Sequence, residues 1–195
     1  MITLHPFGSL PDGQAVTRYR LENQQSAYAD ILDYGGIIQA LCVPDRTGAL
    51  VDVSLGYDDL SGYLQGSAHL GASLGRYANR ICGASFPLLG KTISLSPNSG
   101  DNCLHGGSQG FDRYLWAAQV QGDTLALRRT SPDGEAGFPG NLQAEVTYTL
   151  LPDNSLRITY QAQTDMPTVV NLSNHCYFNL SLIHISEPTR LDVIS

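Results

Sequence analysis

Short apolar or alternating runs recur along the chain, and most are closed by Gly, Pro, Asn or Asp. SAYADILDY, GIIQALCVP, LVDVSLGY, TLALRRT, LQAEVTYTLL, SLRITYQAQ and PTVVNLS are such runs. Several are rich in Val, Ile, Thr and Tyr, residues that suit a pleated, half-buried surface. LQAEVTYTLL and SLRITYQAQ, separated by Pro152, Asp153 and Asn154, predict a β-hairpin. Sustained helical periodicity is absent, and the stretch 58–64 predicts a single helical turn, with Asp58 and Asp59 as candidate caps. Many short strands with regular turn signals predict an all-β protein, a sandwich or a barrel. No repeat or low-complexity linker divides residues 1–180, so they are read as one unit. The pattern changes after NLSNHCYFNL. The segment 181–195, SLIHISEPTRLDVIS, resembles one reading frame of a sequencing adaptor, and it is read as a non-native tail outside the fold.

Composition narrows the function classes. A net charge of -7 argues against nucleic acid, whose phosphates call for a basic surface. Cys42, Cys82, Cys103 and Cys176 form no CxxC pair and no zinc-spaced cluster, so neither a metal nor a disulfide framework is expected. Scattered thiols, no signal-peptide pattern at the N-terminus and no apolar run of spanning length predict a soluble cytoplasmic protein.

Three segments carry the polar side chains that could do chemistry. GRYANRICG (75–83) holds Arg76, Asn79 and Arg80; arginine offers a rigid fork of donors, and spacing alone leaves Arg76 and Arg80 as equal candidates. DNCLHGGSQGFDRYLW (101–116) sets His105 before two glycines, with Phe111, Tyr114 and Trp116 close behind. Aromatic faces beside hydrogen-bonding groups suit a sugar, though the same aromatics could simply be core. NLSNHCYFNL (171–180) places a Ser, a His and three Asn in strand-like sequence. If extended, it sets Ser173, His175 and Tyr177 on one face and Asn174 and Cys176 on the other. A histidine there is a candidate general acid, or a core histidine bonded to a neighbouring Asn. No nucleophile elbow, P-loop or HExxH is present, and Glu135 in DGEAGFPGN reads as a solvated loop residue.

Together these segments, with YGGIIQALCVPDRTGALVDVSLGYDDLSGYL, GEAGFPGNLQAEVTYTL and VVNLSNHCYFNL, resemble the aldose 1-epimerase family from about Tyr34 to Leu180. The resemblance implies a large antiparallel β-sandwich, here truncated to its N-terminal half, that binds a free aldose and interconverts its α and β anomers without metal or organic cofactor. It implies His175 as the general acid, His105 as a substrate-binding and polarising histidine, and Asn79 and Arg80 as contacts to sugar hydroxyls, which favours Arg80 over Arg76. Tyr177 would line the cleft. Cys176 stands where the family usually has Ser.

The family's catalytic glutamate and a substrate-binding aspartate belong to a later half with no counterpart here, so this chain is expected to be nearly inactive by itself. A sandwich cut midway is also expected to leave apolar faces and strand edges that promote association. A hexose-6-phosphate 1-epimerase is the alternative enzyme, and a non-catalytic carbohydrate-binding domain is the alternative class. A small sugar is the expected partner, with no nucleic acid, membrane or obligate protein partner.

Overall fold

The computed structural model describes residues 1–180, and the tail expected at 181–195 lies outside the described residues. The first sheet is a five-stranded antiparallel meander in chain order: β1 (Ile2–Ser9), β2 (Ala15–Glu22), β3 (Tyr28–Leu32), β4 (Ile38–Pro44) and β5 (Leu50–Asp52). One helical turn, α1 (Leu60–Gln65), follows where the sequence predicts it; the Asp59 carboxylate accepts from Gly62 N–H at 3.1 Å and caps it. Short strands cross the middle of the chain: β6 (Ser73–Leu74), β7 (Arg80–Ile81), β8 (Ser85–Leu88), β9 (Lys91–Ser94) and β10 (Cys103–Leu104). The second large sheet is another meander, β11 (Ala117–Gln121), β12 (Thr124–Ser131), β13 (Leu142–Leu150) and β14 (Leu156–Thr164), and β15 (Ser173–Asn174) closes the described chain.

The expected hairpin is β13–β14, in register from Leu142↔Thr164 to Leu150↔Leu156. Along β13, Leu142, Ala144, Val146, Tyr148 and Leu150 are buried, while the alternate positions are not. Fully burying a large apolar side chain stabilises by roughly 1.5–3 kcal/mol. A one-residue slip would turn all five outward, so the alternation holds the register. These residues meet Tyr19, Leu21, Ala29, Ile31 and Ile38 of the first sheet in one apolar cluster, with Leu125, Leu127, Phe111 and Trp116. The two sheets thus pack as a β-sandwich.

A second cluster, of Val16, Leu32, Tyr34, Ile37, Leu60, Tyr63, Leu70 and Ala72, fixes α1 and the segment after it against the first sheet. Tyr177, partly buried, packs against it.

Several apolar side chains near the end of the described chain remain open. Ile38, Leu41, Leu156, Ile158, Cys176 and Phe178 line a cleft, and Phe178 and Leu180 are 54% and 76% exposed. Among the described residues β14 pairs with β13 alone, leaving its other edge unpaired. Open edges and apolar clefts favour association. The isolated 195-residue polypeptide is therefore expected to sediment as oligomers or aggregates; a single monomeric boundary with a sharp cooperative melt would contradict this.

Candidate active site

Two short antiparallel pairings bring distant segments together. β7 pairs with β10, matching Arg80 with Leu104 and Ile81 with Cys103. Just beyond that ladder, His105 N–H donates to Asn79 O at 3.1 Å, and Asn79 N–H donates to His105 Nδ1 at 2.9 Å. Asn79 and His105 both adopt left-handed backbone conformations, φ 68° and 55°. The following Gly106 has φ 89°, and a Cβ there would lie 1.9 Å from the Gly75 carbonyl oxygen, so only glycine fits.

β6 pairs with β15, matching Leu74 with Ser173 and Ser73 with Asn174. The ladder is extended by His175 N–H donating to Ala72 O at 2.8 Å and Gly71 N–H donating to His175 O at 3.1 Å. The Asn174 side-chain amide also donates to Gly71 O at 2.8 Å. The predicted two faces of this segment are realised. The His175 and Tyr177 rings lie 5.0 Å apart on one side. Asn174, Cys176 and Phe178 border the apolar cleft on the other.

The result is a triangle of imidazoles. His105 and His175 have ring centroids 5.2 Å apart, and His69 completes the group at 5.2 Å from His105 and 5.7 Å from His175. His69 donates from Nδ1 to Asp112 Oδ2 at 2.9 Å. Asp112 is buried and is also held by Arg113 Nε at 3.2 Å. The Arg113 guanidinium in turn donates to the carbonyls of Tyr63, Leu64 and Gly66 at the end of α1.

Electrostatics set the resting state of two rings. Burial, reinforced by the neighbouring His69 and His175, pushes His105 down to about 4. It is neutral near pH 7, and because its Nδ1 accepts from Asn79, the proton sits on Nε2. Burial also lowers His175, helped by His69; the Asp112 carboxylate pulls the other way.

Of the residues expected from the sequence, His105, His175, Asn79 and Tyr177 come together. Arg80 is exposed beside Asn79, its guanidinium makes no hydrogen bond among the described residues, and its charge is felt at His105. Arg76 is neither a surface residue nor a site residue. It is 2% exposed, and it donates to Ser131 Oγ, Ser131 O, Pro132 O and Pro139 O at 2.7–3.0 Å.

Two other readings are decided by the fold. Of the two alternatives open for the aromatics, Phe111 and Trp116 take the core one, since both are buried in the main core, 5.5 Å apart and edge to face. Glu135 is not solvated. Its carboxylate binds Arg129 at 2.7 and 3.1 Å and accepts from Ser131 Oγ, because the loop folds back on β12. His69 and Asp112 were not legible as site residues. A lone His in the turn SAHLG and an acidic residue in a Gly-rich stretch carry no local signal.

Among the described residues, no group of three or more His, Cys, Asp or Glu side chains is arranged to hold a metal ion. No described helix is long and apolar enough to cross a membrane.

A two-sheet antiparallel sandwich thus carries two facing histidines beside an exposed Asn-Arg pair, and comparison with known proteins places that fold in a family. The family model described as Aldose 1-epimerase matches residues 17–191. The chain is 46% identical over 181 residues to the galactose mutarotase of Bos taurus, covering 92% of this chain and 52% of that protein. It is 42% identical over 171 residues to the aldose 1-epimerase of Escherichia coli K12, covering 87% and 49%. The crystal structure of galactose 1-epimerase from Lactobacillus acidophilus NCFM superposes with TM-score 0.81 at 27% identity, covering 92% of this chain and 53% of that one. The GalM/aldose epimerase homologue from C. elegans gives TM-score 0.78 at 31% identity, covering 82% and 50%. The chain belongs to the aldose 1-epimerase family. It spans about half the length of the relatives it matches.

Proposed function

We propose that the whole protein carrying this chain interconverts the α and β anomers of a free hexose such as galactose or glucose. The reaction needs a proton delivered to the ring oxygen and one removed from the anomeric hydroxyl. The ring opens, the C1–C2 bond rotates, and closure on the other carbonyl face gives the second anomer. His175 delivers the proton. His105, a neutral Nε2–H donor, polarises the sugar, Asn79 and Arg80 bind hydroxyls, and Tyr177 lines the cleft. The observation that carries this reading is the 5.2 Å approach of the His105 and His175 rings beside Asn79 and Arg80. Proton transfer of this kind requires no cofactor. Four unpaired cysteines support a reducing, cytoplasmic setting. Polarimetry on fresh α-galactose with the full-length protein tests the reading, and a rate no faster than buffer alone would refute it.

The base is proposed to come from the rest of the longer protein. Glu22 is exposed at the end of β2, Glu135 is engaged by Arg129 and Ser131, Glu145 by Arg128, and Glu187 lies outside the described residues. General base catalysis contributes roughly 10²–10⁴ in rate, so the isolated 195-residue polypeptide is expected to be slower than the full-length protein by about that factor. Full-rate mutarotation by the short polypeptide would show that another group serves as base. Recognition of a phosphate calls for several converging cations, and among the described residues Arg80 is the exposed one next to Asn79, while Arg113 is tied to Asp112 and the end of α1. The full-length protein is expected to prefer glucose to glucose 6-phosphate in kcat/KM, and the reverse preference would favour the phosphohexose reading.

A further inference from the structure

His69 is not among the residues assigned a role above, yet it stands within the imidazole triangle. Its position is built rather than incidental. The backbone at His69 is left-handed, φ 53°, an uncommon conformation for a residue other than glycine. A hydrogen bond from Ala72 N–H to His69 O closes the turn, and Leu70 and Ala72 anchor it in the second apolar cluster. Asp112 holds the ring at Nδ1, and Arg113 ties Asp112 to the end of α1.

The hydrogen bonds assign opposite polarity to two neighbouring rings. His105 accepts at Nδ1 from a backbone N–H, so neutral His105 carries its proton on Nε2 and can donate there. His69 faces a carboxylate, an obligatory acceptor, at Nδ1. Neutral His69 therefore carries its proton on Nδ1, and its Nε2 is left as a lone-pair acceptor. Neither Nε2 is engaged by another described residue. A donor and an acceptor on adjacent rings are the complement of one hydroxyl, which both accepts and donates.

We propose that His69, oriented by Asp112, is a specificity-determining residue whose Nε2 accepts a hydrogen bond from the sugar hydroxyl that accepts from His105 Nε2–H. The inference rests on the sugar-binding reading of this site and adds a residue to it. It predicts that the protein discriminates against a deoxy sugar lacking that hydroxyl, because both rings would be left without a partner.

The experiment is long-range ¹⁵N–¹H spectroscopy of the histidine rings in the full-length protein near pH 8, with and without galactose, followed by kinetics of His69→Phe and His69→Gln. The expected spectra show His69 as the Nδ1–H tautomer and His105 as the Nε2–H tautomer, with both Nε2 signals shifting on sugar addition. Phe removes the acceptor and is expected to raise KM about tenfold with a smaller effect on kcat. It should also narrow the gap between galactose and its monodeoxy analogues at one ring position. Gln, whose amide oxygen can accept, is expected to recover part of the loss. An Nε2–H tautomer at His69, or sugar shifts at His105 and His175 but not at His69, overturns this inference alone. Silence at all three rings overturns the sugar-binding reading itself. The spectra of the unaltered protein decide the matter even where a variant fails to fold.

Discussion

Replacing His175 with Asn in the full-length protein is expected to lower kcat by about 10²–10⁴, the contribution of a positioned general acid, with little change in sugar affinity. Asn preserves much of the size and polarity of the side chain but cannot carry a proton near neutral pH. The backbone of residue 175 is held by Ala72 and Gly71, independently of its ring, so the fold should tolerate the change. The pH profile supplies a second readout. An acid must be protonated to act, so kcat/KM in the unaltered protein falls as pH rises through the His175 pKa. Burial and the neighbouring His69 lower that pKa in the structure described, and Asp112 opposes them. This alkaline limb should vanish in His175→Asn. A variant that keeps both its rate and its limb would remove His175 from the chemistry. Binding kept alongside no measurable turnover in the unaltered protein would favour the non-catalytic carbohydrate module.

The two arginines of GRYANRICG are expected to fail in opposite ways. Arg76→Met strands the carbonyls of Ser131, Pro132 and Pro139, which now accept from one buried guanidinium. Each buried acceptor left unsatisfied typically costs about 1–3 kcal/mol. The expected result is a marked fall in the urea midpoint of the full-length protein, with sugar binding lost only as far as the fold is lost. Arg80→Met removes an exposed side chain with no hydrogen-bonding partner among the described residues, so stability should stay within about 0.5 kcal/mol. Its effect should appear in KM instead. Denaturation curves and steady-state kinetics on the same two variants separate the roles. A destabilised Arg80→Met with unchanged KM would assign it to structure, contrary to its proposed contact with sugar hydroxyls.

Much of the local architecture was legible because it is written in neighbouring residues. The alternation in LQAEVTYTLL and SLRITYQAQ, with Pro152, Asp153 and Asn154 between, gives the β13–β14 hairpin, and Asn154 takes a left-handed conformation, φ 67°, in its turn. Asp59 caps the single helical turn because a short acceptor preceding Leu60 can reach forward to the orphan Gly62 amide. The two faces of NHCYF follow from strand geometry.

What the amino-acid order determined by itself was the set of elements, the all-β class and the positions of His105, His175, Asn79 and Arg80 as candidates. Tertiary structure decided which side chains meet. The β6–β15 and β7–β10 pairings join segments far apart in sequence, and no local pattern shows that His69 will close the triangle or that Asp112 will orient it. It also decided which arginine is buried, because the acceptors around Arg76 come from the 131–139 loop, and it turned Glu135 inward onto Arg129. Hydrophobic alternation selects strands through burial of one face, a property of neighbours in sequence. Ion pairs, tautomers and proton affinities depend on partners supplied by the folded chain and on the water it excludes.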